Sequence, residues 1–139
     1  MKTSARNTLA CVVDRIIPGA VNAEIDLHLA DGVKLSVIIT EDSVKDLGLV
    51  PGMAVTALIK STFVLLAREA GRVSARNRIP GKVIRRDDGA VNSEIVLDIG
   101  GGKTIAAIIT KTSAEDLELK IGDAAWALIK ASHIILAVE

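Results

Sequence analysis

Ser4, Arg6, Asn7, Asn22, Glu24, Thr40, Ser43 and Lys60 each recur 70 positions later, as Ser74, Arg76, Asn77, Asn92, Glu94, Thr110, Ser113 and Lys130. Each set holds two cations, three hydroxyls, two amides and one carboxylate, with no His, Cys or Tyr. Metal ions take carboxylate, imidazole or thiolate ligands, so neither set reads as a cation site. General acid–base catalysis wants a group that titrates near neutrality. None is shared, because His28 aligns with Asp98 and His133 with Phe63, and a nucleophile triad fails for the same reason. The chain is therefore expected not to be an enzyme. Donors without a base suit a tetrahedral oxyanion, whose four oxygens can be met by two fixed cations and several hydroxyl or backbone donors.

Each residue also has a plainer reading. Thr40 opens a run with acids in its first turn, Glu41 and Asp42, and a glycine at its end, Gly48, so it reads as a helix N-cap whether or not it binds anything. The same helix start offers free N–H groups to an anion, with the Ser43 hydroxyl one turn on. Lys111 and Thr112 replace the two acids in the second copy, so the two sites are expected to differ in affinity. Lys60 alone could be an edge charge and Arg6 a surface residue. Asn22 suits a turn with positive φ, and Glu24 either pairs with a cation of the set or sits in solvent. Cys11, which aligns with Gly81, reads as a small buried filler.

The elements that must position these residues come in duplicate. Sliding the chain by 70 residues aligns it with itself without gaps, and 30 of the 66 positions from Ser4 to Glu69 are identical. The two units are taken as 1–70 and 71–139. Within the first, Ala23 to Ala30 alternates apolar and polar residues, Asp31-Gly32 reads as a tight turn, and Val33 to Ile39 completes a hairpin. Met53 to Lys60 and Phe63 to Ala67 are further β-compatible runs, and Leu9 to Ile17 supplies a fifth strand. Pro51-Gly52 marks the turn into the fourth strand, and Gly100-Gly101-Gly102 takes the hairpin position in the second unit. The expectation is all-β: two tandem OB-like five-stranded barrels, each with one short helix. Barrels this small are marginal alone, so the halves should pack on each other or on other chains.

Composition narrows the function classes. Half of the 139 residues are hydrophobic, but only Phe63 and Trp126 are aromatic, so the core is aliphatic. With 17 basic and 17 acidic residues there is no field to attract a polyanion, and no stacking surface, so nucleic acid is not expected as a partner. A single cysteine excludes an intrachain disulfide. The N-terminal residues lack a signal-like apolar core and no apolar run approaches a membrane span, so the expected location is the cytoplasm, away from membranes.

Ser-Ala-Arg-Asn, Gly-Ala-Val-Asn-x-Glu, Ile-Thr-x-x-Ser-x-x-x-Leu and Leu-Ile-Lys-[Ser/Ala], in that order and twice over, resemble the molybdenum-pterin-binding-protein (Mop, or molbindin) family. The resemblance implies an OB-like fold that binds molybdate or tungstate at interfaces between modules, needs no cofactor, and assembles as a homotrimer of tandem chains. It places the oxyanion ligands on Ser4, the Ala5 amide, Arg6, Thr40, Ser43, Lys60 and the Ser61 amide. In the second copy they fall on Ser74, Ala75, Arg76, Thr110, Ser113, Lys130 and Ala131. The Ser-Ala-Arg segment of one module would meet the Thr, Ser and Lys of another. A further class of site near a symmetry axis would fall to Val21, Asn22, Val91 and Asn92. Position 61 is Ser and its partner Ala131, so only a backbone contact can be common there; Ala10-Cys11 replaces Pro80-Gly81. No P-loop or helix-turn-helix pattern accompanies the modules. The function implied is storage and homeostasis of the anion; the alternative is an anion-sensing regulatory or assembly module acting on a protein partner.

Overall fold

Alternating burial builds the strands. In β1 (Asn7–Ile17) residues 7, 9, 11 and 13 point inward, and the alternation breaks at a bulge between Val13 and Arg15. The computed structural model describes residues 1–29 and 32–139, so Ala30 and Asp31, in the expected hairpin turn, lie outside it. β2 (Asn22–His28) and β3 (Lys34–Thr40) pair antiparallel, and β4 (Ala54–Ile59) runs along the other side of β1. The second unit repeats this with β6 (Asn77–Asp88), β7 (Asn92–Gly100), β8 (Lys103–Thr110) and β9 (Ala124–Ile129). A matching bulge falls between Val83 and Arg85. Pro80, which cannot donate to a ladder, faces Trp126 of β9 at a point where β7 has not yet joined; that pairing begins at Lys82. Ala10 faces Thr56 at the same offset, so the exchange of Pro80-Gly81 for Ala10-Cys11 leaves the register unchanged.

The fifth strands do not stay with their own units. β5 (Leu65–Ala67) pairs with β9 of the second unit, and β10 (Ile134–Ala137) pairs with β4 of the first. The sheets are thus β10-β4-β1-β2-β3 and β5-β9-β6-β7-β8, each antiparallel, five-stranded and curled. With a short helix beside each, they form the tandem OB-like architecture, but the sheets cross the repeat boundary near residue 70. A 3-10 turn, Ser61–Phe63 or Ala131–His133, carries the chain from Lys60 or Lys130 into each exchanged strand. Arg68 anchors the outgoing linker by donating to the Leu117 and Glu118 carbonyls at 2.9 and 3.1 Å.

One aliphatic core runs through both sheets, including Ile25, Leu27, Val37 and Ile59 from the first unit and Ile95, Leu97, Ile105 and Ile129 from the second. Cys11 is part of it, and burial pushes its thiol up to about 11.

A second interlock is polar. Asn7 and Asn77 are both buried, and each pairs with the edge strand of the other unit. Asn77 accepts from Ser36 N at 2.7 Å and donates to Ser36 O at 2.8 Å. Asn7 does the same to Ala106, at 2.7 and 2.8 Å. Positions 36 and 106 are equivalent in β3 and β8, the outermost strands of their sheets. Each side-chain amide stands in for one residue of a neighbouring strand, covering an edge that would otherwise be open.

Candidate functional site

Helix α1 (Glu41–Leu47) starts where expected: Thr40 caps it, its side chain accepting from Ser43 N at 3.1 Å, and Gly48 ends it at φ 64°. α2 (Lys111–Asp116) repeats the cap with Thr110 and Ser113 N at 3.0 Å. In both, the threonine hydroxyl donates to the serine Oγ, at 2.8 and 2.7 Å. The Glu41 and Lys111 amides donate to the Val21 and Val91 carbonyls, each at 2.8 Å. Two of the three amides in each first turn are thus already bonded, and the helix start offers an anion fewer N–H groups than the sequence suggested.

These caps face the exchanged segments. Thr40 and Ser43 line a cleft of about 270 Å³ with Ser132 and Ile134 to Leu136 of the second unit. Thr110 and Ser113 line one of about 480 Å³ with Thr62 and Val64 to Leu66 of the first. A third cleft, of about 360 Å³, brings Ser74, Ala75 and Lys130 together with Thr62, Phe63, Leu65 and His133. Ser74 and Ala75 therefore meet the lysine of their own sequence unit, while each Thr–Ser pair meets the 3-10 segment of the other. Ser61 and Ala131 are buried at the starts of those turns, whereas Ser4, Arg6, Thr40 and Lys60 are exposed, as are Ser74, Arg76, Thr110, Ser113 and Lys130.

Both arginines are engaged. Arg6 makes a two-pronged pair with Glu94, one prong at 2.8 Å, and Arg76 reaches Glu24 at 2.7 Å. The hydrogen bonds and charge of those carboxylates hold both guanidinium groups above the ordinary arginine value. This settles the choice left open for Glu24: it pairs with a cation, and that cation belongs to the other unit. Arg15 and Arg85, also identical in the two copies, were not singled out by sequence reasoning. Arg85 donates to Glu94 at 2.8 Å and Arg15 to Asp26 at 2.8 Å, each bracing a carboxylate on the neighbouring strand of its own sheet. Their repetition was the available signal.

The Val21-Asn22 and Val91-Asn92 turns lie beside the helix starts, with both valines exposed at 73%. Asn22 begins β2 and has no positive φ; among the described residues the one non-glycine with positive φ is Glu118, at 51°. The tightness comes instead from Gly19, where a Cβ would sit 2.4 Å from the Asn22 carbonyl oxygen. The two turns differ in charge. The Glu41 carboxylate accepts from Gly19 N at 3.0 Å, while Lys111 occupies the equivalent position beside the other turn. Among the described residues no group of three or more His, Cys, Asp or Glu is placed to hold a metal ion, and no helix is long and apolar enough to cross a membrane.

The chain matches the TOBE domain twice, over residues 3–66 and 73–136. It is 55% identical over 140 residues to the molybdenum-pterin-binding protein MopA of Rhodobacter capsulatus, covering 99% of this chain and 53% of that protein. It thus spans about half the length of the curated relatives that match both units. A probable molybdenum-pterin-binding protein of Haemophilus influenzae is 37% identical over 68 residues, which is 49% of this chain and 99% of that protein. Among solved structures, the cytoplasmic molybdate-binding protein ModG, in a form with molybdate bound, superimposes with a TM-score of 0.97 at 42% identity and full coverage of both chains. Repeat, fold and comparisons agree: the chain belongs to the TOBE-domain family, as a tandem of two molybdenum-pterin-binding (Mop) modules.

Proposed function

We propose that this chain is a non-catalytic receptor for molybdate, with tungstate as a chemically equivalent ligand, and that it serves cytoplasmic storage and buffering of the anion. The observation that carries the reading is the clustering of Ser74, Ala75 and Lys130 in one cleft built around an exchanged strand. A lysine, a hydroxyl and backbone amides supply charge and donors for an oxyanion. Ser43 and Ser113, held by the Thr40 and Thr110 caps, add hydroxyls, and Lys60 with the Ser61 amide is assigned the equivalent role in the first copy. Arg6 and Arg76 either leave Glu94 and Glu24 to meet the anion or act by fixing the Ser-Ala segments. Because most of these groups are exposed in the single chain, we assign the completed sites to contacts between chains in a homotrimer. Val21, Asn22, Val91 and Asn92 are assigned to a second class of site near its axis.

The test is isothermal titration with molybdate, in the presence and absence of excess sulfate, together with the mass in solution. Binding of more than one anion per chain, undisturbed by sulfate, in a trimer, is the expected result. Lys60→Ala with Lys130→Ala should weaken it by about 10- to 100-fold, the range of one charge-assisted hydrogen bond per site. No heat with molybdate or tungstate would sink the proposal. Because the chain spans half the length of relatives such as MopA, a sensing module acting on a protein partner is the second reading. Anion-dependent capture of a specific partner would favour it.

A further inference from the structure

His133 stands in the cleft that holds Ser74, Ala75 and Lys130, and the shared polar set does not account for it. Its ring stacks on Phe63, with centroids 4.5 Å apart and planes tilted by 30°. The two residues are equivalent positions of the repeat, so one copy places an imidazole where the other places a phenyl ring. The backbone beneath them is the same: His133 N donates to Lys130 O at 2.9 Å, and Phe63 N to Lys60 O at 2.9 Å. The difference is therefore confined to side-chain chemistry. Stacking engages the face of the imidazole, while its nitrogens lie on the edge, and either neutral tautomer carries an N–H donor.

We propose that His133 is an additional oxyanion ligand, so that the tandem carries two unlike sites. One has an imidazole beside Lys130. The equivalent residue, Phe63, borders the same cleft and also lies beneath Lys60, whose Nζ is 5.4 Å from the ring centroid, so Lys60 has a phenyl ring where Lys130 has an imidazole. The inference rests on the reading of this cleft as an oxyanion site and names what distinguishes it from its counterpart. The charged groups around His133 are Lys130 of its own turn and Lys60 over the Phe63 ring; Thr62, Leu65, Ser74 and Ala75 are neutral. An imidazolium donates from both nitrogens and adds a positive charge, so it meets a dianion better than the neutral ring does. Ligation by His133 therefore carries a signature that packing alone does not: anion uptake at one site is coupled to proton uptake.

The experiment is titration of the full chain with micromolar molybdate at pH 8 and pH 6, on the wild type, His133→Phe and Phe63→His. Imidazole NMR signals are followed alongside; with only two histidines in the chain, His133→Phe assigns them. A one-unit rise in an imidazole pKa on anion binding, through the range between the two pH values, corresponds to roughly sixfold tighter binding at pH 6 than at pH 8. One class of sites should show that gain. His133→Phe should abolish it while keeping the stoichiometry, since phenylalanine already serves at the equivalent turn. Phe63→His should confer it on the second class. An unchanged pH profile in His133→Phe, or an imidazole titration indifferent to molybdate, would overturn the inference and leave the proposed function standing. Absence of molybdate binding to the wild type at both pH values would overturn both.

Discussion

Replacing Asn7 or Asn77 by alanine tests whether side-chain amides hold the two units together. Asn77→Ala removes the bonds to Ser36 N and O and a 3.2 Å contact to the Ile129 carbonyl. A buried donor or acceptor left unpaired costs ~1–3 kcal/mol. Ser36 is half-buried, so water can replace part of the loss, and the expected destabilisation is about 3 kcal/mol. Asn7→Ala strips the N–H and C=O of Ala106, which is 7% exposed, and water cannot reach them as readily. Its cost should be the larger, about 4 kcal/mol. At ~4 °C per kcal/mol for a chain of this size, Asn77→Ala should melt about 12 °C below the wild type and Asn7→Ala lower still. Urea unfolding followed by circular dichroism reads both values. Losses below about 1 kcal/mol in both variants would show that the strand edges do not depend on these amides. The reverse order of the two would mean that local burial does not set the cost.

Other outcomes follow from the same geometry. Because each sheet contains a strand from both units, unfolding should be one cooperative transition; two separated transitions in calorimetry would contradict the exchange. Glu24→Gln with Glu94→Gln frees both arginines, and molybdate affinity should rise if guanidinium groups touch the anion; unchanged affinity would remove the Arg6 and Arg76 side chains from the ligand set. Glu118 holds at φ 51° the place that Gly48 fills in the other copy, so Glu118→Gly should stabilise by about 1 kcal/mol in thermal denaturation, and a loss of stability would refute the strain argument. Hydrogen bonds from Arg86 and Ser93 hold the Asp88 carboxyl below the usual aspartate range. Its native pKa is depressed, so its contribution is complete above about pH 4, the unfolded value, and is lost as pH falls through the native one. Asp88→Asn should flatten the acid limb of a stability–pH profile, and an unaltered limb would show that this contact is not stability-linked.

Local features were legible in the sequence because local forces make them. The Thr40 cap, the Gly48 stop, the pairing of β2 with β3 and of β7 with β8, and the repeat all appear where residue type and periodicity put them. The strand exchange was not legible. Leu65-Leu66-Ala67 and Ile135-Leu136-Ala137 are close to interchangeable, so neither β4 nor β9 can tell its own fifth strand from its neighbour's by sequence. Repetition flagged Asn7, Asn77 and Glu24, but their roles depend on contacts across the exchanged interface, and that distance is invisible to spacing. The arginines show the same limit: their types suit an anion, yet in the fold each already has a carboxylate.

The exchange also has a consequence for how the two copies can change. Leu136, near the end of the chain, faces Ala57 in the barrel that begins at Asn7. A substitution there is felt first by the opposite half, and loss of the last strand would bare the β4 edge of the first unit rather than the second. The linker makes this mutual completion intramolecular, so it proceeds at an effective concentration on the order of millimolar and does not wait on a second molecule. Within this chain a change in either copy therefore reaches the sheet that begins in the other.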